Sequence, residues 1–292
     1  MAKNSVEAEI GIIGGSGIYD FPGLEDTSEF KLSTPFGNPS DVVVVGDLNG
    51  SRVAFLARHG RHHQHSPSSV PAAANIYAMK YLGVRDLISV SAVGSLRDHL
   101  RPGELVVPDQ LVDLTKGRSS TFFDRGLVVH LPFAEPFCPR LRRELLTAVG
   151  AVAGITSHDS GTYVCIEGPQ FSTRAESELN RSLGMDIIGM TAAPEAKLAR
   201  EAGMCLATIA LVTDYDCWRQ GEEPVTADMV AEVMRRNVAA TRKAILNFAK
   251  APRQERTCEC QDALAHAIMS DSASISESDR DRLDLLAGNY LP

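Results

Sequence analysis

The chain has 292 residues, 44% hydrophobic and 23% charged, with 29 Lys and Arg against 37 Asp and Glu, a formal net charge of −8 at neutral pH. A chain of this length holds one or two domains and buries a core without staples. Its acidity excludes partners that are recognised through a positive overall field, namely nucleic acid and anionic lipid surfaces. Half of the excess falls from Ala251 onward, where eight acids face four bases. The rest of the chain is therefore closer to neutrality for its size.

No apolar run reaches the ~20 residues needed to cross a bilayer. Residues 1–9 carry acids and no apolar stretch, so no secretory signal is expected. The six cysteines, Cys138, Cys165, Cys205, Cys217, Cys258 and Cys260, read as packed, reduced thiols of a cytoplasmic protein.

In chain order, residues 9–13 form a short apolar strand that runs into Gly14-Gly15-Ser16-Gly17. Residues 41–45 and 53–57 read as a hairpin around a turn at 46–50. Residues 71–82 read as a helix with Pro71 at its start and Gly83 as its stop. Strands follow at 86–92 and near 104–107, then a helix at 139–149 and a strand at 161–166. Helices are expected at 173–182 and 194–202, with an apolar strand at 206–213. The clearest helix spans 226–249, with a Thr226 cap and Met234, Val238, Thr241, Ile245 and Phe248 on one stripe. Strands and helices alternate without a long linker, the pattern of one α/β domain around a mixed sheet. The tail has a predicted helix at 261–269, a polar stretch at 270–278 and a Leu-rich end.

Several segments carry side chains suited to chemistry. The Gly14-Gly15-Ser16-Gly17 loop after a strand is either an anion cradle or a tight structural turn. It fails the dinucleotide fingerprint, because Asp20 stands where the third glycine belongs. Ala57-Arg58-His59-Gly60 offers a guanidinium fork and an imidazole to a phosphate or carboxylate. Its rival reading is the Arg-His-Gly signature of histidine phosphatases, with His59 as nucleophile. His59, His62, His63 and His65 also raise a metal, but without Cys or Asp at ligand spacing a polar loop is the preferred reading. Asp214 and Asp216 follow an apolar strand, where i and i+2 would share a face. Two acids on one face are costly unless they hydrogen-bond a ligand or one is protonated, and the rival reading is a solvated turn. Glu167-Gly168-Pro169-Gln170-Phe171 places an acid and an aromatic on a loop, and Met190 reads as core or as site lining.

Together with Ala134-Glu135-Pro136-Phe137-Cys138-Pro139, these segments occur in one order over residues 9–250. In that order the chain resembles the methylthioadenosine phosphorylases, in the trimeric branch of the purine nucleoside phosphorylase family. The resemblance implies a single α/β domain with a central mixed sheet over 1–250. A helical extension over 251–292 would pack on that domain or on a neighbouring subunit. It implies phosphorolysis of 5′-methylthioadenosine to adenine and 5-methylthioribose 1-phosphate. The alternatives are another 5′-substituted 5′-deoxyadenosine, a 5′-halo form for example, or a 6-oxopurine nucleoside.

By the same resemblance phosphate falls to Ser16, Arg58, His59, Ser91, Ala92 and Thr191. Adenine falls to the acids Asp214 and Asp216, with Ser172 nearby, Phe171 stacking on the base and Met190 packing on the ribose. The 5′ pocket falls to Ala227, Val230 and Ala231 with His63, and His130 would reach over from a neighbour in a homotrimer or hexamer. Gly189 departs from members that carry Asn beside the base. No metal or organic cofactor is expected, only phosphate as co-substrate. Cys258-Glu259-Cys260 resembles a C-x-C element of some microbial members, with free thiols preferred to a disulfide in a reducing cytosol.

Overall fold

A computed structural model describes residues 7–15, 17–18, 21–219 and 227–291, the side chains of 227–232 excepted. The strands are β1 (Ile10–Gly14), β2 (Glu25–Phe30), β3 (Val43–Leu48), β4 (Ser51–Ala57), β5 (Asp86–Ser95), β6 (Leu105–Val106), β7 (Gln110–Asp113), β8 (Ser157–His158), β9 (Thr162–Cys165), β10 (Ile187–Gly189) and β11 (Cys205–Asp214). The helices are α1 (Ala72–Tyr81), α2 (Pro139–Gly150), α3 (Arg174–Ser182), α4 (Ala192–Glu201), α5 (Ala227–Lys250) and α6 (Glu277–Ala287). All strands join one mixed sheet, as the alternating pattern predicts.

At its centre β4, β1, β5 and β11 lie side by side and parallel. The far end of β5 pairs antiparallel with β10, which leads on to β9 and β7. A buried parallel strand must be apolar on both faces, and its period of two sorts side chains between them. Ile12, Phe55 and Ile88 accordingly pack toward α2 and α5, with Leu141, Ile245 and Phe248. Ile13, Leu56 and Leu87 pack on the other face with Ile76 of α1 and Leu198 of α4. Leu283 and Leu286 of α6 join that second layer.

Local differences from the sequence reading have physical causes. The β3–β4 ladder continues to Leu48↔Ser51, so the turn is only Asn49-Gly50, both at positive φ (55° and 83°). That is the two-residue geometry matched to strand twist. β2 carries no apolar signal: its sequence, Glu-Asp-Thr-Ser-Glu-Phe, is exposed and forms an edge strand of mostly polar residues. The helix predicted at 261–269 does not form, and a 3₁₀ turn (Glu259–Asp262) and further turns stand there. Its backbone is used elsewhere: His130 N–H donates to Ala267 O at 2.8 Å and Met269 N–H to Val128 O at 2.9 Å. Tertiary pairing overrides local helix propensity in this segment. The Thr226 cap and Asp20 lie outside the described residues.

Candidate active site

Parallel sheets present their ligand crevice at the carboxyl ends of the strands. Here a cavity of about 790 Å³ opens at the carboxyl ends of β1, β4, β5, β10 and β11 and is roofed by α5. It brings together Arg58, His59, His63, Ser91, Ala92, Phe171, Ser172, Met190, Thr191, Asp214 and Asp216 from five separate stretches of chain.

One end is built of donors. Ser91 Oγ lies 3.0 Å from Thr191 Oγ1 and 3.0 Å from the Tyr163 hydroxyl, joining β5, β9 and the start of α4. Thr191 occupies the N-cap of α4 without making a side-chain cap bond, so its hydroxyl points away from its own helix. A helix N-terminus favours an anion. Gly15 and Gly17 line the same end, while Ser16 between them lies outside the described residues.

Arg58 is more committed than the sequence shows. Its Nε–H and Nη2–H donate to the two carboxylate oxygens of Glu195 at 2.5 and 3.0 Å. Further bonds run to Val90 O, Ile13 O and Ser89 Oγ. The guanidinium fork is thus closed on Glu195, and among the described residues only one Nη1–H is left without an acceptor. The fork read from Ala57-Arg58-His59-Gly60 contributes a fixed charge behind the cradle rather than a two-pronged clamp.

His59 has a defined tautomer, because its Nδ1 lies 2.8 Å from the His65 carbonyl, which only accepts. Nδ1 therefore carries the proton and Nε2 a lone pair. Burial, followed by the Arg58 charge, lowers the His59 pKa from 6.5 to about 4, so the ring is neutral at pH 7. Its ring stacks on His63 at 4.6 Å.

At the other end the two acids converge, though not by strand alternation. β11 shifts register between Val212 and Asp214, a bulge that re-aims Asp214. Asp216 lies beyond the strand at φ 52°. Its N–H donates to Asp214 Oδ1 at 2.7 Å, and Thr213 Oγ1 stands 2.6 Å from Asp214 Oδ2. Gly94 makes the approach feasible, since a Cβ there would meet Asp214 Oδ1 at 2.9 Å and Asp216 Cβ at 3.3 Å. Burial raises both carboxyl pKa values, against Thr213 for Asp214 and against Ser177 for Asp216. Asp216 Oδ2 is buried and accepts no bond among the described residues. A buried acid in this state favours the proton. Phe171, 54% exposed, stands at the rim as an apolar face open to a flat ligand.

Some expected contributions fall elsewhere. Ala227, Val230 and Ala231 start α5, but their side chains lie outside the described residues; the next turns bring Met234 and Val238 to the cavity. His130 is exposed and does not line the cavity of its own chain. Three residues of the site carry no local sequence signal. Glu195 neutralises Arg58, and Arg118 donates to Glu167 Oε1 at 3.1 Å, to Ile166 O at 3.2 Å and to the carbonyl of Met190. Tyr163 is fully buried, its hydroxyl pKa pushed up to about 12 by burial. It also explains Gly189, where a Cβ would overlap the Tyr163 hydroxyl and come within 2.7 Å of its Cζ.

The family model of the phosphorylase superfamily matches residues 9–250. The chain belongs to that superfamily. Membership sets aside the histidine phosphatase reading of Arg58-His59-Gly60. A protein of Geobacter sulfurreducens named S-methyl-5′-thioadenosine phosphorylase is 50% identical over 98% of this chain and 100% of its own length. A crystal structure of a methylthioadenosine phosphorylase from an Antarctic soil metagenomic library is 46% identical, covering 97% of this chain and 99% of that one, with a TM-score of 0.90. A Schistosoma mansoni adenosine/methylthioadenosine phosphorylase variant, solved in complex with methylthioadenosine, is 39% identical over 83% of this chain and 90% of its own, with a TM-score of 0.78.

Proposed function

We propose that the chain is a pentosyltransferase that cleaves 5′-methylthioadenosine with inorganic phosphate, yielding adenine and 5-methylthioribose 1-phosphate. One observation carries the reading: a single cavity has an anion cradle at one end and, at the other, two convergent acids whose pKa values burial raises. The names of its full-length relatives support the same substrate.

In the reaction a phosphate oxygen bonds to C1′ as the C1′–N9 bond breaks and its electron pair leaves with adenine. Phosphate takes bonds from the Ser91 and Thr191 hydroxyls, the Ala92 region and the glycine loop with Ser16. The Arg58–Glu195 pair fixes a polar floor. Neutral His59 presents Nε2 as an acceptor for the proton of hydrogen phosphate. Cationic charge that develops on the ribose is stabilised by the phosphate held beneath it. The acid of the Asp214/Asp216 pair that holds a proton donates it to N7, and its partner accepts from the 6-amino group. A 6-oxo group would oppose that acceptor, which favours adenine. Phe171 covers the base, Met190 the ribose, and Ser172 lies beside Asp216.

The 5′ substituent lies toward His63 and the start of α5 with Ala227, Val230 and Ala231, completed by His130 of a neighbouring subunit. The assembly is a homotrimer or a hexamer of cytoplasmic location. Exposed Val128 and Met269, beside His130, suit such a contact. No organic cofactor takes part, and no described helix is long and apolar enough to cross a membrane.

The decisive experiment is incubation with methylthioadenosine in the presence and absence of phosphate, following adenine by chromatography. Adenine that appears only with phosphate, at one sugar phosphate per adenine, is the expected result. Release at equal rate without phosphate is hydrolysis and defeats the reading. Adenosine, inosine and a 5′-halo-5′-deoxyadenosine in the same assay rank the alternatives.

A further inference from the structure

Four of the six cysteines meet at the end of the sheet away from the cavity. Cys138 is the N-cap residue of α2, Cys205 opens β11, and Cys258 and Cys260 enter from the tail. Their Sγ atoms all lie within 4.8 Å of one another, with Cys205 and Cys258 3.3 Å apart, and three of the four residues are buried. β11 separates this cluster from Asp214 by nine residues, about 30 Å of strand.

We propose that these four cysteines form a closed tetrahedral site for a soft divalent metal ion, zinc in the first place, that clips the C-terminal tail to α2 and β11. Zinc–thiolate bonds of about 2.3 Å place tetrahedral sulfurs about 3.8 Å apart. The 3.3 Å of the Cys205–Cys258 pair and the 4.8 Å within which all pairs fall lie on either side of that edge. Four sulfurs and no nitrogen or oxygen donor form the ligand set of a structural site, with no open position for catalysis.

The surroundings supply an independent observation. Arg256 Nη2 donates to Cys205 Sγ at 3.5 Å and to Gly203 O at 3.0 Å, and its buried Nε has no acceptor among the described residues. Arg140, two positions after Cys138, leaves its own buried Nε equally without an acceptor. Four neutral thiols are weak acceptors for such donors. Four thiolates around one divalent ion carry two net negative charges and present strong sulfur acceptors to both arginines. Binding releases the thiol protons, so the charge appears only when the metal does.

The clip has a structural consequence. The tail beyond Cys260 supplies Leu264, Ile275, Leu283 and Leu286 to the same core layer as Ile13 and Leu56. Its backbone also pairs with Val128 and His130. Fixing Cys258 and Cys260 therefore fixes the segment that braces His130.

The test uses the full-length protein purified without chelator. Elemental analysis should find about one zinc per chain, with Cys217, the part-exposed thiol outside the cluster, reacting in the native protein and the four cluster thiols only after chelator is added. Exchange with cobalt should give the visible ligand-field and thiolate-to-cobalt bands of a tetrahedral sulfur site. Cys258→Ser and Cys260→Ser should each weaken zinc about tenfold or more while circular dichroism reports an intact fold. If either variant fails to fold, the wild-type cobalt spectrum and thiol count still decide. Protein that takes up neither zinc nor cobalt overturns the proposal. So does intact mass showing two disulfides among these four residues in protein kept under reductant.

Discussion

Arg58 and Glu195 are locked together in the interior, with Nε–H donating to Oε1 at 2.5 Å and only 2% and 3% of the two side chains exposed. Breaking a buried pair strands a charge, which costs about 3–5 kcal/mol. Glu195→Gln is therefore expected to lower the melting temperature markedly. Phosphate should then protect the variant more than the wild type, because a bound anion restores the missing counter-charge. Thermal melts with and without phosphate check this. A variant as stable as wild type, or one indifferent to phosphate, contradicts the assigned floor.

The pH behaviour of His59 follows from its depressed pKa. The unfolded chain takes up a proton as pH falls below 6.5, whereas the folded ring does so only near 4. Its contribution to stability is complete above pH 6.5 and is lost progressively between 6.5 and 4. Relative to His59→Asn, wild type should lose additional stability across that window and none between pH 7 and 9. Imidazole resonances of folded protein should show no His59 midpoint between pH 5.5 and 7.5, and a midpoint there would remove its role as a neutral acceptor.

Asp216 has a buried carboxylate oxygen that accepts no bond among the described residues, and burial raises its pKa. The proton-donating form is depleted as pH rises through that raised value, so turnover of adenine nucleosides should decline on the alkaline side. Asp216→Asn should abolish this limb and reduce kcat by about 10²–10⁴. The same substitution removes the cost of burying a carboxylate, so the melting temperature at pH 7 should rise. Asp214→Asn should instead shift preference toward a 6-oxopurine. Loss of activity together with loss of stability in Asp216→Asn would mark it as structural.

Arg118 touches neither end of the cavity through its charge, yet it holds the carbonyls of Ile166, Glu167 and Met190. Charged hydrogen bonds of this kind are worth about 1.5–3 kcal/mol each. Arg118→Ala should loosen the loops that carry Phe171 and Met190, raising KM for the nucleoside at least about tenfold with a smaller effect on kcat. Arg118→Lys, which cannot span three carbonyls, should recover little. An unchanged KM would make the residue a packing element only.

Much of this was legible from local signals. Strands apolar on both faces announced a covered sheet, and glycine loops, Arg58-His59 and Asp214-Tyr215-Asp216 marked its carboxyl edge. Long-range partners were not legible. Glu195 looked like an ordinary first-turn acid until Arg58 arrived from 137 residues away. The convergence of Asp214 and Asp216 depends on a bulge and a left-handed residue, which no strand periodicity encodes. Helix 261–269 failed for the same kind of reason, its backbone being claimed by Val128 and His130.

Gly189 and Tyr163 give the sharpest test of such hidden coupling. The missing side chain at Gly189 is filled by the Tyr163 ring, whose hydroxyl reaches Ser91 Oγ at 3.0 Å. Gly189→Ala forces the ring away and should cost about 1–3 kcal/mol as an overpacked site. Displacing the hydroxyl also frees Ser91, so KM for phosphate should rise while KM for the nucleoside changes less. Tyr163→Phe alone loses one buried hydrogen bond, about 1 kcal/mol. In the double variant the hydroxyl clash is gone, and the 2.7 Å approach to Cζ and the 3.2 Å approach to Val93 Cγ1 remain. Its destabilisation should therefore be smaller than the sum of the two single effects by about 0.5 kcal/mol or more. Melting temperatures of the four proteins complete the cycle, and strict additivity would show that the two positions do not share this space.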